Sequence, residues 1–398
     1  MERRRWYSMP RTRPARPILD GVRLAPIGLV LTAALLTGIG GATALVLIIL
    51  LTLGLPSLQS SATLPMAGLL DVIKLAFAAI AGIGGTIALV VAYRRQRVAE
   101  ASSRLEHAKE ERDRIRILNE RFGAAASQIG SDQPTVRLAG VYAMAALADD
   151  WPEQRQTCVN VLCGYLRMPY EPDPGAEAPG SERLAFAQNR EVRHAAIQVI
   201  RDHLNPRVAP LPWHDCKFDF RGAVFDGGNF SYIEVPNGCT LNFLDASFVG
   251  GVTEFQGSKF AGGVANFWRV QFAGGEVHFY GAKFAAGHVG FGESTFSGGR
   301  VDFRSIGTSE GPLRSSFSTD VTFSRCQFTG AEVLFSRAEF TAGVIDFDEA
   351  EFSGGKVDFT DAQLTGGKLD FSRVAAWAVP PSNLPVSARG LKMPHLPA

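Results

Sequence analysis

Phe255–Gln256–Gly257–Ser258–Lys259–Phe260–Ala261–Gly262–Gly263–Val264–Ala265–Asn266–Phe267 is the stretch on which the fold turns. Two phenylalanines stand five residues apart, and the next follows after seven. The alternation runs unbroken through Phe243, Phe248, Phe255, Phe260, Phe267, Phe272, Phe279, Phe284, Phe291, Phe296 and Phe303. It resumes at Phe323, Phe328, Phe335, Phe340, Phe347, Phe352 and Phe359, then Leu364 and Phe371. Of the 27 phenylalanines, 24 lie between Phe218 and Phe371, so nearly all belong to this one device. A period held so strictly identifies a solenoid, whose units bury a core only by stacking on their neighbours. Two residues before each ring the side chain is small or β-branched: Ala246, Ser258, Val270 and Ala282 on one face, Thr253, Ala265, Val277 and Val289 on the other. Positions i−2 and i of a strand share a face, so both point inward and the rings form a core ladder. Gly-Gly pairs such as Gly250–Gly251 and Gly274–Gly275 follow alternate phenylalanines, where a tight corner needs positive φ.

Units such as Asp245–Ala246–Ser247–Phe248–Val249 and Asp361–Ala362–Gln363–Leu364–Thr365 resemble the pentapeptide-repeat family. The resemblance covers residues 213–374 and implies a right-handed, four-sided β-helix with Leu or Phe pointing inward at the centre of each five-residue face. This sequence departs from the family pattern in the alternate seven-residue step, which adds two residues at the glycine corner. Faces of five, seven, five and seven residues close a 24-residue coil, stacking Phe243 on Phe267 and Phe291 at one strand spacing of about 4.8 Å. A flat two-sheet coil of 12 residues is the alternative. The register breaks twice. Spacing is irregular around Phe230 and Tyr232, and a gap of 20 residues between Phe303 and Phe323 leaves eight extra within Ser305–Thr319. Such an insertion is either a binding loop or a tolerated surface bulge. Trp213 and Trp377 bracket the repeats, placed to cap open strand edges. The Pro-rich stretch 375–398 reads as a disordered tail.

Upstream lie two apolar runs. The first, Ile27–Leu55, has no charged residue; the second runs over 68–93. Each exceeds the roughly 20 residues needed to cross a bilayer core. Arginines 3, 4, 5, 11, 13, 16 and 23 precede the first run and Arg94, Arg95 and Arg97 follow the second, while the loop between Pro56 and Pro65 is uncharged. The positive-inside rule then predicts a two-helix transmembrane hairpin in the plasma membrane, with a basic N-terminus (1–25) and the whole C-terminal part in the cytoplasm. Reduced cysteines follow from that compartment. Thr37–Val46 and Ala81–Val90 are nearly the same small-residue decapeptide, suited to close helix approach or simply to ordinary membrane-helix composition. Asp71 and Lys74 fit interfacial snorkelling better than an ion path.

Between hairpin and repeats, residues 94–205 read as a charged stalk helix and a small all-α domain. Helices are predicted over Pro134–Ala148, Pro152–Arg167 and Glu191–Leu204, separated before the last by the loop Pro169–Gly180. Val98, Ala101, Leu105, Ala108, Ile115 and Phe122 form an interrupted stripe, leaving open a homodimer through the stalk or the repeat ends. Cys158 and Cys163 read as core residues, being wrongly spaced for a shared metal face. The segments Arg155–Val159 and Leu166–Tyr170, with the hairpin and repeats, resemble membrane-anchored actinobacterial members of the family.

The chain is thus read as a multi-domain membrane protein ending in an all-β solenoid. With 40 Lys+Arg against 39 Asp+Glu, no global charge excess points to nucleic acid. No P-loop, Gly-x-Ser-x-Gly or metal-spaced His/Cys cluster is present, so no catalytic, cofactor or metal site is assigned. His278 and His288 read as decorations of a solvated face. The expected function is a membrane-held scaffold or interaction module for another protein, not an enzyme. The resemblance supplies the alternative: some family members mimic DNA and bind a topoisomerase. From Trp213 to Val374 there are 13 Lys+Arg and 20 Asp+Glu, a charge of −7 that leans this way, although basic residues are interspersed.

Overall fold

The computed structural model describes residues 66–394 except 172, 310, 387 and 388, together with single positions and short runs between 32 and 51. The basic N-terminus, the 56–65 loop and most of the first apolar run lie outside the described residues. The chain divides into two compact units, Met1–Arg112 and Asp113–Ala398.

In the first unit, the described positions between 32 and 51 are helical, and helix α1 (Met66–Ile129) begins at Met66. Among the described residues one helix is long and apolar enough to cross a membrane, α1 from Phe77 onward. The second span of the hairpin expected from sequence corresponds to this helix, and the first lies mostly outside the described residues. Gly and Pro are absent between Thr86 and Phe122, which lets the helix run through the charged stretch without a break.

In the second unit, the end of α1 packs with α2 (Pro134–Asp150), α3 (Arg155–Leu166) and α4 (Gly180–Leu204). Pro134 opens α2 at a position where its missing N–H costs nothing. Val141, Met144, Leu147, Cys158, Leu162, Ala196 and Ile200 fill the helical core. A Cβ at Gly140 would stand 2.6 Å from the Ile129 nitrogen, so only glycine admits this approach of α2 to α1. Helix α4 starts eleven residues before the expected Glu191, because its first turns are almost wholly exposed and their apolar residues, Leu184 to Ala187, form one short run rather than a helical stripe.

The solenoid begins at Lys217 and winds in parallel strands. Register decides its coil length: Ser247 pairs with Gln271, Gln271 with Thr295, and Gln327 with Glu351, each 24 residues on. The 12-residue alternative is overturned, since Phe243 stacks on Phe267, not on Phe255. Four columns of side chains fill the axis. One runs Phe220, Phe243, Phe267, Phe291, Phe323, Phe347, Phe371. The second runs Phe225, Phe248, Phe272, Phe296, Phe328, Phe352. The third holds Phe230, Phe255, Phe279, Phe303, Phe335, Phe359. The fourth holds Phe260, Phe284, Phe317 and Phe340, entered by Val235 and left by Leu364. Phe243 and Phe267 lie 4.8 Å apart, as do Phe267 and Phe291. The first and third columns, on opposite faces of the coil, meet edge to face across the axis, a favoured arrangement for ring quadrupoles.

Two register breaks acquire explanations. The first coil obeys the plain five-residue step, Phe220, Phe225, Phe230, Val235, before the longer glycine corners set in. The insertion forms an antiparallel hairpin, Ile306–Thr308 with Gly311–Leu313, and the chain re-enters through Ser316 and Phe317, which pairs with Phe284 and Phe340. Phe317 is a core rung hidden from spacing analysis by this hairpin. The expectation of a disordered tail is corrected at two places among the described residues of 375–394: Ala376–Trp377 pairs with Glu351–Phe352, and Leu391–Lys392 with Leu369–Asp370. The prolines of this segment fall outside the paired residues, so its composition does not prevent strand addition.

Candidate interaction surface

Along one face of the solenoid, outward side chains stack in rows, one per coil. Asn242, Asn266, Gly290, Thr322, Asp346, Asp370 and Lys392 occupy equivalent positions. Asn266 donates to Asn242 across 3.0 Å, and Lys392 donates to Asp370 across 2.5 Å. Beside this row lies a shallow groove of about 1010 Å³, lined by Trp268, Val264, His288, Val344, Asp346 and Arg373 among others. The half-buried Trp268 indole rests on the next coil, where Cβ atoms at Gly290 and Gly292 would stand 2.6 and 2.9 Å from it. Both glycines sit where other coils carry side chains; that substitution, one coil after a lone tryptophan, is the sequence signal for the groove.

Charge on this face is sparse but specific. Burial, reinforced by the negative Asp348 and Asp370 nearby, holds the Asp346 carboxyl above its usual range despite a hydrogen bond from the Asp348 nitrogen. Asp320 spends one oxygen on the Val344 N–H at 2.8 Å. A tryptophan flanked by carboxylates suits a partner segment that supplies an apolar side chain and a cationic or N–H donor group.

Elsewhere the outward charges neutralise one another from coil to coil. Arg269 forks onto Asp245, Lys259 reaches Glu234, Arg300 and Lys356 share Glu332, and Arg325 meets Glu293. His278 is corrected from a solvated position: it is buried at 8 % exposure between Glu254 (3.1 Å) and Glu276 (2.6 Å). Burial opposes its charge, yet the hydrogen bonds to both carboxylates outweigh it and raise its pKa. His288 is exposed, at the groove.

The core-ladder residues named from sequence are brought together in the four columns, with Leu364 half-buried near the far end. Missed were Phe317 and the first-coil rings Phe218, Phe220, Phe225 and Phe230, all buried. Trp213 is fully buried, stacked on His203 at 3.8 Å with its N–H donated to Asp149 at 2.9 Å. It is one part of a larger cap: α3 and α4 cover the first coil, with Arg190 bonded to Asp226, Arg193 to the Val224 carbonyl, and Ile197 against Gly228. Trp377 covers the other end, edge-on to Phe352 and Phe371. All five cysteines are free and buried, and burial pushes the thiols up, Cys158 to about 11 and Cys163 to about 12. Among the described residues no group of three or more His, Cys, Asp or Glu is placed to hold a metal ion.

The chain's C-terminal part is thus a right-handed β-solenoid whose axis is filled by stacked rings. A family model described as pentapeptide repeats matches residues 323–375, a stretch inside the solenoid, with nine copies. No curated protein and no solved structure matches the chain.

Proposed function

We propose that this protein is a membrane-anchored scaffold whose solenoid offers the Trp268 groove to a protein partner on the cytoplasmic side. The observation that carries this reading is the combination of a ring-filled axis with one partly exposed tryptophan seated in a groove. An axis filled with stacked rings leaves the outer faces as the place for recognition, and aromatic anchors in desolvated grooves supply most binding energy at interfaces. Membrane anchoring draws support from the apolar helix beginning at Phe77. A second span packed against it draws support from Gly38, whose added Cβ would lie 3.7 Å from Ile83. The arginines flanking the apolar runs favour a cytoplasmic solenoid.

DNA mimicry is the weaker reading. A duplex mimic needs rows of unpaired carboxylates, whereas here Asp245, Glu234, Glu293, Glu332 and Glu339 are each held by a lysine or arginine. The test is cross-linking of the full-length protein in its own membrane, beside a variant carrying Trp268→Ala and Asp346→Lys. Partner capture by the parent and its loss in the variant are the expected result. Equal capture by both removes the groove from the proposal, and stoichiometric inhibition of a topoisomerase by the protein reinstates mimicry.

A further inference from the structure

The helical domain contains a second cleft, of about 680 Å³, between the turn after α1, the start of α2, the end of α3 and α4. Its volume falls in the range of small-molecule sites. Two arginines line it, and among the described residues neither has a carboxylate partner. Arg193 is 6 % exposed, and both of its hydrogen bonds leave from Nη2, to the Leu166 carbonyl at 2.9 Å and the Val224 carbonyl at 2.6 Å. Its guanidinium also lies over the Tyr170 ring at 4.4 Å. Arg137 donates from Nη1 to the carbonyls of Ser131 (3.0 Å) and Asp132 (3.3 Å) and from Nη2 to Asn189 Oδ1, while its buried Nε has no partner. Asp226, whose charge acts on Arg193, is engaged by Arg190 and by the Tyr170 hydroxyl. A buried guanidinium without an opposite charge is costly to keep. Two facing one cleft is an arrangement that an incoming anion would complete.

The walls narrow the choice of anion. Tyr170 and Phe186, whose ring centres are 5.9 Å apart, give the cleft an aromatic side. The exposed Asp132, Glu171 and Glu182 stand at its rim and oppose a second negative charge. We propose that the cleft binds a small monoanionic carboxylate with an aromatic body, its carboxylate taken by Arg137 and Arg193 and its ring by Tyr170 and Phe186. Guanidinium forks match carboxylate geometry, and aromatic faces accept a flat ring.

The test uses full-length protein in detergent with 4-fluorophenylacetate as probe, followed by fluorine NMR. Saturable line broadening is expected, with none for the neutral 2-(4-fluorophenyl)ethanol. Arg137→Gln should weaken probe binding about tenfold. Glu182→Lys, on the exposed rim and outside the core, should tighten it, which keeps the test valid if the first variant is unstable. Absence of saturable broadening, equal binding of the alcohol, or displacement by inorganic phosphate as effective as by unlabelled phenylacetate overturns the proposal. So does an affinity that neither substitution moves.

Discussion

The first coil and the later coils of the solenoid solve the same packing problem with different corners. In the first, rings and Val235 follow one another every five residues; afterwards every second step lengthens to seven and acquires glycines. What the longer corner adds is intimacy between coils. At Gly274–Gly275, a Cβ on the first glycine would lie 2.5 Å from the Val249 oxygen, and one on the second 2.5 Å from the Gly250 carbon at φ +68°. The first coil has a helical domain lying across its corner, with Ile197 against Gly228, so it is held from outside. The later coils are held by each other. Stability is thus borrowed from a neighbouring domain at one end and generated by repetition along the rest.

The largest expected break of this contrast is Phe291→Ala in mid-solenoid. The ring is fully buried and stacked on both sides, and its loss should cost about 3–5 kcal/mol, read as a drop in solenoid melting by circular dichroism. A melting curve within a degree of the parent's would mean the columns are not continuous. Gly275→Ala comes next. It forces a side chain into a left-handed corner against the coil below, and should cost about 1–3 kcal/mol in the same assay. A neutral outcome would show that coils separate more freely at corners than their register implies.

At the capped end, Trp213→Phe keeps the ring against His203 but removes the donor to Asp149. A loss of about 1 kcal/mol is expected, confined to exchange protection of α2, α4 and the first coil. Loss spread evenly to the far coils would erase the distinction between the two ends. The smallest effect concerns His278, whose folded pKa is raised by Glu254 and Glu276 against the opposing effect of burial. Its contribution is fully present below the unfolded pKa of about 6.5 and is lost as pH rises through the higher folded value. Stability should therefore fall over that window in the parent and stay flat in His278→Gln. A parent profile that rises with pH would contradict the assignment.

The sequence exposed the solenoid because its core residues recur locally: a ring, a small residue two before it, a glycine corner. Features that depend on distant partners stayed hidden. Arg193 finds its acceptors on Leu166 and Val224, far from it in the chain, so no local period announces that α4 caps the first coil. Phe317 lost its spacing to the hairpin, although its pairing with Phe284 is regular. The left-handed corners at Asp245, Arg269, Glu293 and Arg325 carry ordinary polar residues, which composition does not distinguish from any exposed position. His278 alternates outward as expected of its place in the strand, yet two glutamates from its own and the preceding coil enclose it. The groove needed three residues from two coils, Trp268, Gly290 and Gly292, to be read together.

Because the regular coils repeat at a 24-residue interval, the solenoid behaves as a ruler graduated in single turns. Duplicating or deleting one turn would move whatever is carried at the far end by about 4.8 Å, while leaving the grip of the helical cap unchanged. Distance from the anchored end would then be a quantity that heredity adjusts in whole steps, without redesigning any face of the rod.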